Sequence, residues 1–487
     1  MLDCDPQPPA RSSERPSGPP PRLVIAGASG FVGSALCRVL GLDYEIIALT
    51  RSRTRAAQAD ADPEVTWRHC DLYSQRQLET VLADCDYAIY LVHSMAPSAR
   101  LTQAKMSDMD LILADNFARA AAAAGLKQII YISSLLPQGY ELSRLLWSRR
   151  ELEMILAAQA TPVTVLRSGL ILGPGGSAPQ IMLNLLRRLP VLVLPQAANS
   201  QTQPIAIADL VRAVQFCLGR EAVYGGIYDV GGPAPVSYAD ILRALAAHLG
   251  YRRLIVTSAL MPLWLAAIVT RFASRAPTAL VAPIMASLPH DIVVRDNPVQ
   301  AAIAPNALSL RRALQATIDP NSCPSTRSLQ PRQRDLDAAS RREAKLVRSI
   351  QRLFLPPGLD ARWVAGNYFH WIGHCCWPII ACRVSDDGTA EMRLGLLPIT
   401  LLRLRPAPER SHAHRQVYII SGGLLAKRQP DYEGRLEFRE LLDGRYAVAA
   451  IHDYAPALPW PVYIVTQAVV HLGIMRHYQR HLARLLR

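Results

Sequence analysis

Three glycines spaced by three, Gly27, Gly30 and Gly33, stand where a short apolar run, Leu23-Val-Ile-Ala, gives way to Phe31-Val-Gly-Ser-Ala-Leu. A strand that enters a helix through such a loop can receive a phosphate, because the first N–H groups of a helix have no acceptor within it. Gly27 permits the tight turn, Gly30 lets backbone N–H groups approach a pyrophosphate, and Gly33 lets the helix lie close on the strand. The residues expected to hold a nucleotide are therefore Gly27, Ala28, Ser29, Gly30, Phe31, Val32 and Gly33. The alternative is a glycine-rich turn without a ligand.

At the end of the second strand a carboxylate would accept from a ribose 2′-hydroxyl, whereas a cation would pair with a 2′-phosphate. The chain reads Ala48-Leu-Thr-Arg51-Ser-Arg53 there, so NADP is expected over NAD, with Arg51 on the phosphate. Asp71, followed by Leu72, comes after the presumed third strand. Its carboxylate suits an adenine amino group or, equally, a local cap.

These residues need a scaffold, and the surrounding pattern supplies one. Short runs rich in Val, Ile and Leu (23–26, 45–49, 87–92, 129–132, 163–166 and 227–230) alternate with helical stretches, among them 34–40, 108–124 and 238–249. Strands that are apolar on both faces and joined by helices predict a doubly wound parallel sheet, an α/β Rossmann-type fold. Beyond it the pattern changes to consecutive strand-like runs (391–404, 416–425, 434–441 and 446–453) and one apolar terminal helix, which predicts a smaller α+β domain with an antiparallel sheet. The expected division is a Pro-rich disordered tail at 1–21, a nucleotide-binding unit at 22–318, a polar linker at 319–355 and the α+β domain at 356–487.

Taken in order, Gly27-xx-Gly30-xx-Gly33, Asp71-Leu72, Leu91-Val-His-Ser-Met95, Ser133-Ser134-Leu135, Pro162-Val-Thr-Val-Leu-Arg167 and Pro204-Ile-x-Ile-x-Asp209 resemble the atypical short-chain dehydrogenase/reductases, most closely the YbjT-like group with an additional C-terminal domain. The resemblance covers residues 22 to about 315. It implies that Leu91, Val92, His93, Ser133 and Arg149 complete the cofactor site. It also implies a catalytic Tyr with a Lys four residues later, placed by a Ser after the fifth strand.

Ser133 occupies the serine position, but the following helix carries Leu145 and Arg149 where the Tyr and Lys would stand. The candidate proton carriers are then His93, which titrates near neutral pH, and Tyr140, four residues before Arg144. For each, ordinary packing beside the site is the competing reading. His370 and His374 share the i, i+4 spacing of a metal pair, but Gly373 and Pro378 argue against a regular helix there, and no metal is expected.

The chain has 487 residues, 50% apolar and 19% charged, with a formal charge of +14. The positive residues are 49 Arg and 4 Lys, spread without a stripe interleaved with aromatics, so nucleic acid is not an expected partner. Of the +14, +10 lies from Asn321 onward. Nine cysteines without paired spacing and no apolar leader suggest a reducing, cytoplasmic setting.

The segments 254–269 and 457–475 approach the length of a membrane span but are interrupted by proline or histidine. For the terminal helix three readings stand open. It closes an apolar ligand cavity against the preceding strands, it lies on an anionic membrane with Trp460 and Tyr463 at headgroup level, or it spans. An apolar or lipid-like small molecule is the expected ligand, and membrane association through the C-terminal segment the companion expectation. Three functions follow: an NADP-dependent oxidoreductase for an apolar carbonyl or alcohol compound, a silent NADP(H)-binding sensor or scaffold, and a peripheral-membrane lipid-binding protein with a structural nucleotide domain.

Overall fold

The computed structural model describes residues 19–57, 65–93, 101–139, 142–318, 346–395, 397–427, 433–442 and 444–485. Seven strands form a wholly parallel sheet: β1 (Arg22–Ala26), β2 (Glu45–Thr50), β3 (Val65–His69), β4 (Tyr87–Tyr90), β6 (Gln128–Ser134), β7 (Val163–Ser168) and β9 (Ile227–Val230), in the order β9-β7-β6-β4-β1-β2-β3. The order reverses between β1 and β4. In sheets of this kind ligands enter beyond the strand C-termini at that reversal.

Helices cover both faces. One face is packed by α1 (Phe31–Leu40) and α6 (Ile207–Cys217), the other by α2 (Gln75–Leu82), α3 (Met106–Ala123) and α4 (Arg144–Ala157). Helix α3 stops where expected: Gly125 adopts φ +69 and the Leu126 N–H closes back on Ala121 O at 3.1 Å. A side lobe adds α5 (Ser177–Arg188), a parallel strand pair β8 (Val191–Pro195) and β10 (Leu254–Ser258), α7 (Tyr238–His248), α8 (Leu263–Ser274) and α9 (Thr278–Ser287). The apolar run 254–269 is thus divided into β10 and α8, with Pro262 capping the helix.

A second sheet follows the order β12-β13-β14-β15-β16-β17-β11-β5. It comprises β5 (Leu101–Ala104), β11 (Val347–Phe354), β12 (Ile380–Val384), β13 (Ala390–Leu394), β14 (Thr400–Pro406), β15 (Arg415–Gly422), β16 (Arg435–Leu441) and β17 (Tyr446–Tyr454). Its pairs are antiparallel except β11 with β5, which is parallel.

This corrects the linker expected at 319–355. Residues 347–354 are a strand paired on both edges, hidden from compositional reading by the alternation of Arg348, Gln351 and Arg352 with apolar residues. Residues 319–345, like the tail 1–18, lie outside the described residues. Nor is the sheet drawn from the C-terminal third alone, since β5 comes from within the nucleotide-binding unit.

One face of the second sheet lies on α2 to α4, where Ile350, Leu441, Val448 and Ala450 join the core of the parallel sheet. The other face is covered by α10 (Ala361–Cys375) and α11 (Gln467–Leu485), and Tyr368, Phe438 and Tyr478 fill the space between. The Tyr478 hydroxyl donates to Val364 O and lies within hydrogen-bond distance of Asn367 Oδ1, both at 3.0 Å. The helix therefore covers the sheet through a filled aromatic core.

Tyr463, expected at a membrane headgroup level, is 3% exposed and packs on Tyr454 and Trp460. The break expected at Gly373 is absent. A Cβ there would meet Cys382 O at 3.3 Å, so glycine serves the approach of helix to strand rather than a helix end. Among the described residues no helix is long and apolar enough to cross a membrane.

Between the two units lies a seam of buried charge. Arg439, 2% exposed, contacts Asp115 and Glu437 and donates to Asn116 Oδ1 at 2.7 Å. Arg352 bridges Asp108 at 2.9 Å and Glu151 at 2.7 Å, Arg348 reaches Asp71 at 3.2 Å over the face of Tyr73, and Arg435 donates to Tyr73 O at 3.0 Å.

Removing one partner of such a buried set strands the others. Arg439→Met is expected to cost about 3–5 kcal/mol, read as a lower urea midpoint with an unchanged slope. A second expectation concerns pH. Burial lowers His471 to about 4 and holds His452 well below its ordinary value. Between pH 6.5 and 4 the unfolded chain takes up protons that the folded one refuses, so stability falls on acidification. In His471→Asn the urea midpoint should depend less steeply on pH across that window.

Candidate functional site

The glycine loop lies at the C-terminal end of β1, across the reversal from the end of β4. Gly27 has φ +91, and a Cβ there would meet the backbone and side chain of Leu91 at 3.1 Å. At Gly33 the space is closed altogether: a Cβ would lie 2.4 Å from Gly27 O and 2.6 Å from Ala28 Cα. Gly30 donates to Gly27 O at 3.0 Å and forms the N-cap of α1 without a side chain to occupy the first-turn N–H groups. No acidic residue stands in that turn. This cradle fits a dinucleotide pyrophosphate, which would lie on the N-terminus of α1 against Gly30 to Gly33.

The end of β2 keeps its expected character. Arg51 is exposed, as is Arg53 in the short helix that follows, while Arg55 stacks on Trp67 at 4.9 Å. No carboxylate belongs to this corner of the strand. Asp71 is engaged within the protein. It accepts from the Tyr73 N–H at 3.2 Å and pairs with Arg348 of β11, so its carboxylate serves the local turn and the seam between units. Leu72 is buried in the core beside it.

Leu91 and His93 line a cavity with the glycine loop, together with Ser133, Leu145 and Arg149. Val92, one residue away, packs into the core. The Arg149 guanidinium contacts the His93 ring. Loss of hydration, and then the Arg149 charge, hold the His93 pKa well below its ordinary value. The imidazole is therefore neutral at neutral pH, which corrects the expectation that it titrates there.

Ser133 donates to Glu153 Oε1 at 2.7 Å, and the same carboxylate is clamped by Arg167 at 2.9 and 2.6 Å. Its hydroxyl is thus tied to a buried ion pair. Tyr140 lies outside the described residues.

The Glu153–Arg167 pair was not assigned a role from the sequence. Its signal was Arg167 at the end of the otherwise apolar strand Val163-Thr-Val-Leu, a charge that demands a buried partner. Periodicity cannot say which carboxylate supplies it. Tyr238 was also missed. It lines the far part of the cavity, with a phenol pKa raised by burial.

The cavity encloses about 760 Å³. From the glycine loop it runs past Leu135 and Leu145 into an aliphatic chamber formed by Met182, Leu185, Leu192, Leu242, Met285 and Leu288 of the side lobe. The loop after β7 makes room for the Phe31 ring, since a Cβ at Gly173 would meet it at 2.8 Å. Far from here, the His370 and His374 rings lie 4.3 Å apart, tilted by 38°, with His374 Nδ1 on His370 O. Among the described residues no group of three or more metal-ligating side chains gathers anywhere.

Residues 23–231 match the NAD dependent epimerase/dehydratase family. The match falls on the parallel-sheet unit, whose fold is Rossmann-like, in keeping with the resemblance read from its motifs. Auxiliary protein GraX of Staphylococcus aureus is 34% identical over 112 residues, 23% of this chain, and the match spans 36% of that protein's length. Triphenylmethane reductase of Citrobacter sp., complexed with NADP(H), aligns over 61% of this chain and 99% of that one, with 17% identity and a TM-score of 0.50. NADPH-dependent quinone oxidoreductase QOR2 of Escherichia coli, complexed with NADPH, aligns over 61% and 100%, with 18% identity and a TM-score of 0.49. The likeness to the triphenylmethane reductase is one of fold.

The glycine cradle makes a sharp expectation. Gly33→Ala forces Gly27 and α1 apart and should weaken dinucleotide binding at least tenfold in titration calorimetry, whereas Gly125→Ala, strained only at a remote helix end, should leave it intact.

Proposed function

We propose that the protein is an NADP-dependent oxidoreductase acting on an apolar carbonyl or alcohol compound. The observation that carries this reading is the single cavity in which the phosphate-binding glycine loop opens directly into a chamber walled by aliphatic side chains. Such a chamber selects by exclusion of water and by shape, and favours an apolar molecule of modest size over a charged one.

When bound, the nicotinamide nucleotide supplies hydride exchange. The chain's own residues hold and orient. Gly30 to Gly33 and the N-terminus of α1 receive the pyrophosphate, and Arg51 meets a 2′-phosphate at the end of β2. Arg149 provides a fixed positive charge beside the His93 ring, suited to a carbonyl oxygen that gains negative charge. His93, kept neutral, donates or accepts a hydrogen bond there without carrying an extra proton. Glu153 and Arg167 fix Ser133 and the floor of β6 and β7 beneath the site.

A second reading, a nucleotide-binding sensor without turnover, draws on two observations. Leu145 and Arg149 occupy the places of a Tyr–Lys pair, and the Ser133 hydroxyl is already engaged by Glu153.

NADPH oxidation across a panel of apolar quinones, aldehydes and ketones separates the two: turnover supports the oxidoreductase, and tight NADPH binding without turnover on any member favours the sensor. Arg51→Ala should lower NADPH affinity about tenfold or more, the effect of one charge-assisted contact, with NADH affinity unchanged. Equal losses for both nucleotides would remove the 2′-phosphate role. Where turnover is found, His93 predicts no limb near pH 6.5 in kcat/KM, and His93→Ala should lower kcat.

A further inference from the structure

Helix α8 presents two unlike faces. Ala266 and Thr270 are buried and line the cavity, while Trp264, Ile268 and Phe272, spaced by four residues, face outward, with Phe272 72% exposed. Leu260, just before the helix, is 92% exposed. Beside it Val191, Val193 and Val269 are exposed and also line the cavity, which marks its mouth between β8 and α8.

The charge around this face is one-sided. Within the lobe, α7 pairs its Asp240 with Arg243 at 2.8 Å, whereas segments 177–208 and 250–290 contain six arginines and no carboxylate. Three of them gather at the C-terminal end of α8: Arg188 donates to Ala273 O at 2.6 Å, Arg271 lies 5.6 Å from the Phe272 ring centre, and Arg275 ends the helix in the left-handed region.

We propose that α8 and Leu260 form a docking face for a membrane surface that carries anionic lipid, with the cavity mouth opening against the lipid. An amphipathic helix whose aromatic and aliphatic side chains face outward beside arginines lies in the interfacial plane. Each arginine near an anionic surface adds to the attraction. A second copy of the chain is the poorer occupant, because a two-fold contact on this face would set arginines against arginines with no carboxylate from segments 177–208 and 250–290 to meet them. The face stands on its own geometry. Only the passage of substrate through the mouth rests on the oxidoreductase reading, and the test below reads binding, not turnover.

The full-length protein is sedimented with vesicles of phosphatidylcholine alone and of phosphatidylcholine with phosphatidylglycerol, at low and high salt. Binding is expected on the anionic vesicles and weaker at high salt. It should fall at least tenfold in Trp264→Ser/Phe272→Ser and several-fold in Arg271→Gln/Arg275→Gln, with NADPH affinity and thermal midpoint retained. The companion Val465→Ser/Val469→Ser, on the exposed apolar side of the C-terminal helices, should bind like the parent. Three results would overturn the proposal: equal binding to neutral vesicles, retained binding in the α8 variants with loss in the Val465/Val469 variant, or a dimer by light scattering that becomes a monomer in the α8 variants without any vesicle binding.

Discussion

The fold turns on a guanidinium that water cannot reach. Arg439 lies on a strand of the second sheet, between Glu437 of the same strand and Asp115 and Asn116 of α3. A charge so placed is tolerable only if every neighbour is present at once, so the contact specifies one seating of the second sheet on the first unit. Arg352 then fixes α4 through Glu151, on the same helix that carries Arg149 to the cavity and Glu153 to Ser133. Helix α4 is held from two sides, by the seam through Glu151 and by the parallel sheet through Glu153 and Arg167. The second domain is thus part of the support of the site, although it lines none of the cavity described here.

The seam also gives the uneven charge of the chain a different meaning. An excess of +10 in the last third suggested an external anionic partner. Part of it meets acids inside the molecule instead: Arg348, Arg352 and Arg439 face Asp71, Asp108, Glu151 and Asp115 of the other unit. The net sum over a segment cannot show this, because pairing depends on which faces touch. Conversely, the lobe around α8 lies in the part of the chain nearest neutrality, yet six arginines there have no carboxylate within their own segments.

Much of the nucleotide-binding unit was legible because its signals are local. Gly30 and Gly33 answer to backbone within a few residues, and Gly27 to its own positive φ as well as to the distant Leu91, while the strands of the parallel sheet announce themselves as apolar runs bounded by turns. The misreadings share a cause. Residues 347–354 looked like linker because Arg348 and Arg352 are polar in sequence, while their partners, Asp71, Asp108 and Glu151, are hundreds of residues away. Gly373 looked like a helix breaker, but its lack of a side chain is used against Cys382 on a neighbouring strand. Tyr463 suited a membrane interface until Tyr454 and Trp460 closed over it.

Within the site the same division holds. The phosphate cradle and the arginines after β2 follow from the order of residues along one strand–loop–helix, and the absence of a Tyr–Lys pair is plain from the helix sequence alone. The neutrality of His93, the clamp of Ser133 by Glu153 and Arg167, and the aliphatic chamber required elements separated by tens to hundreds of residues to meet. Local sequence determined the backbone geometry and the class of ligand it can cradle, because those depend on torsions and spacing. Only the tertiary structure decided protonation, pairing and the shape of the chamber, because desolvation and Coulomb energy depend on what lies within a few ångströms in space.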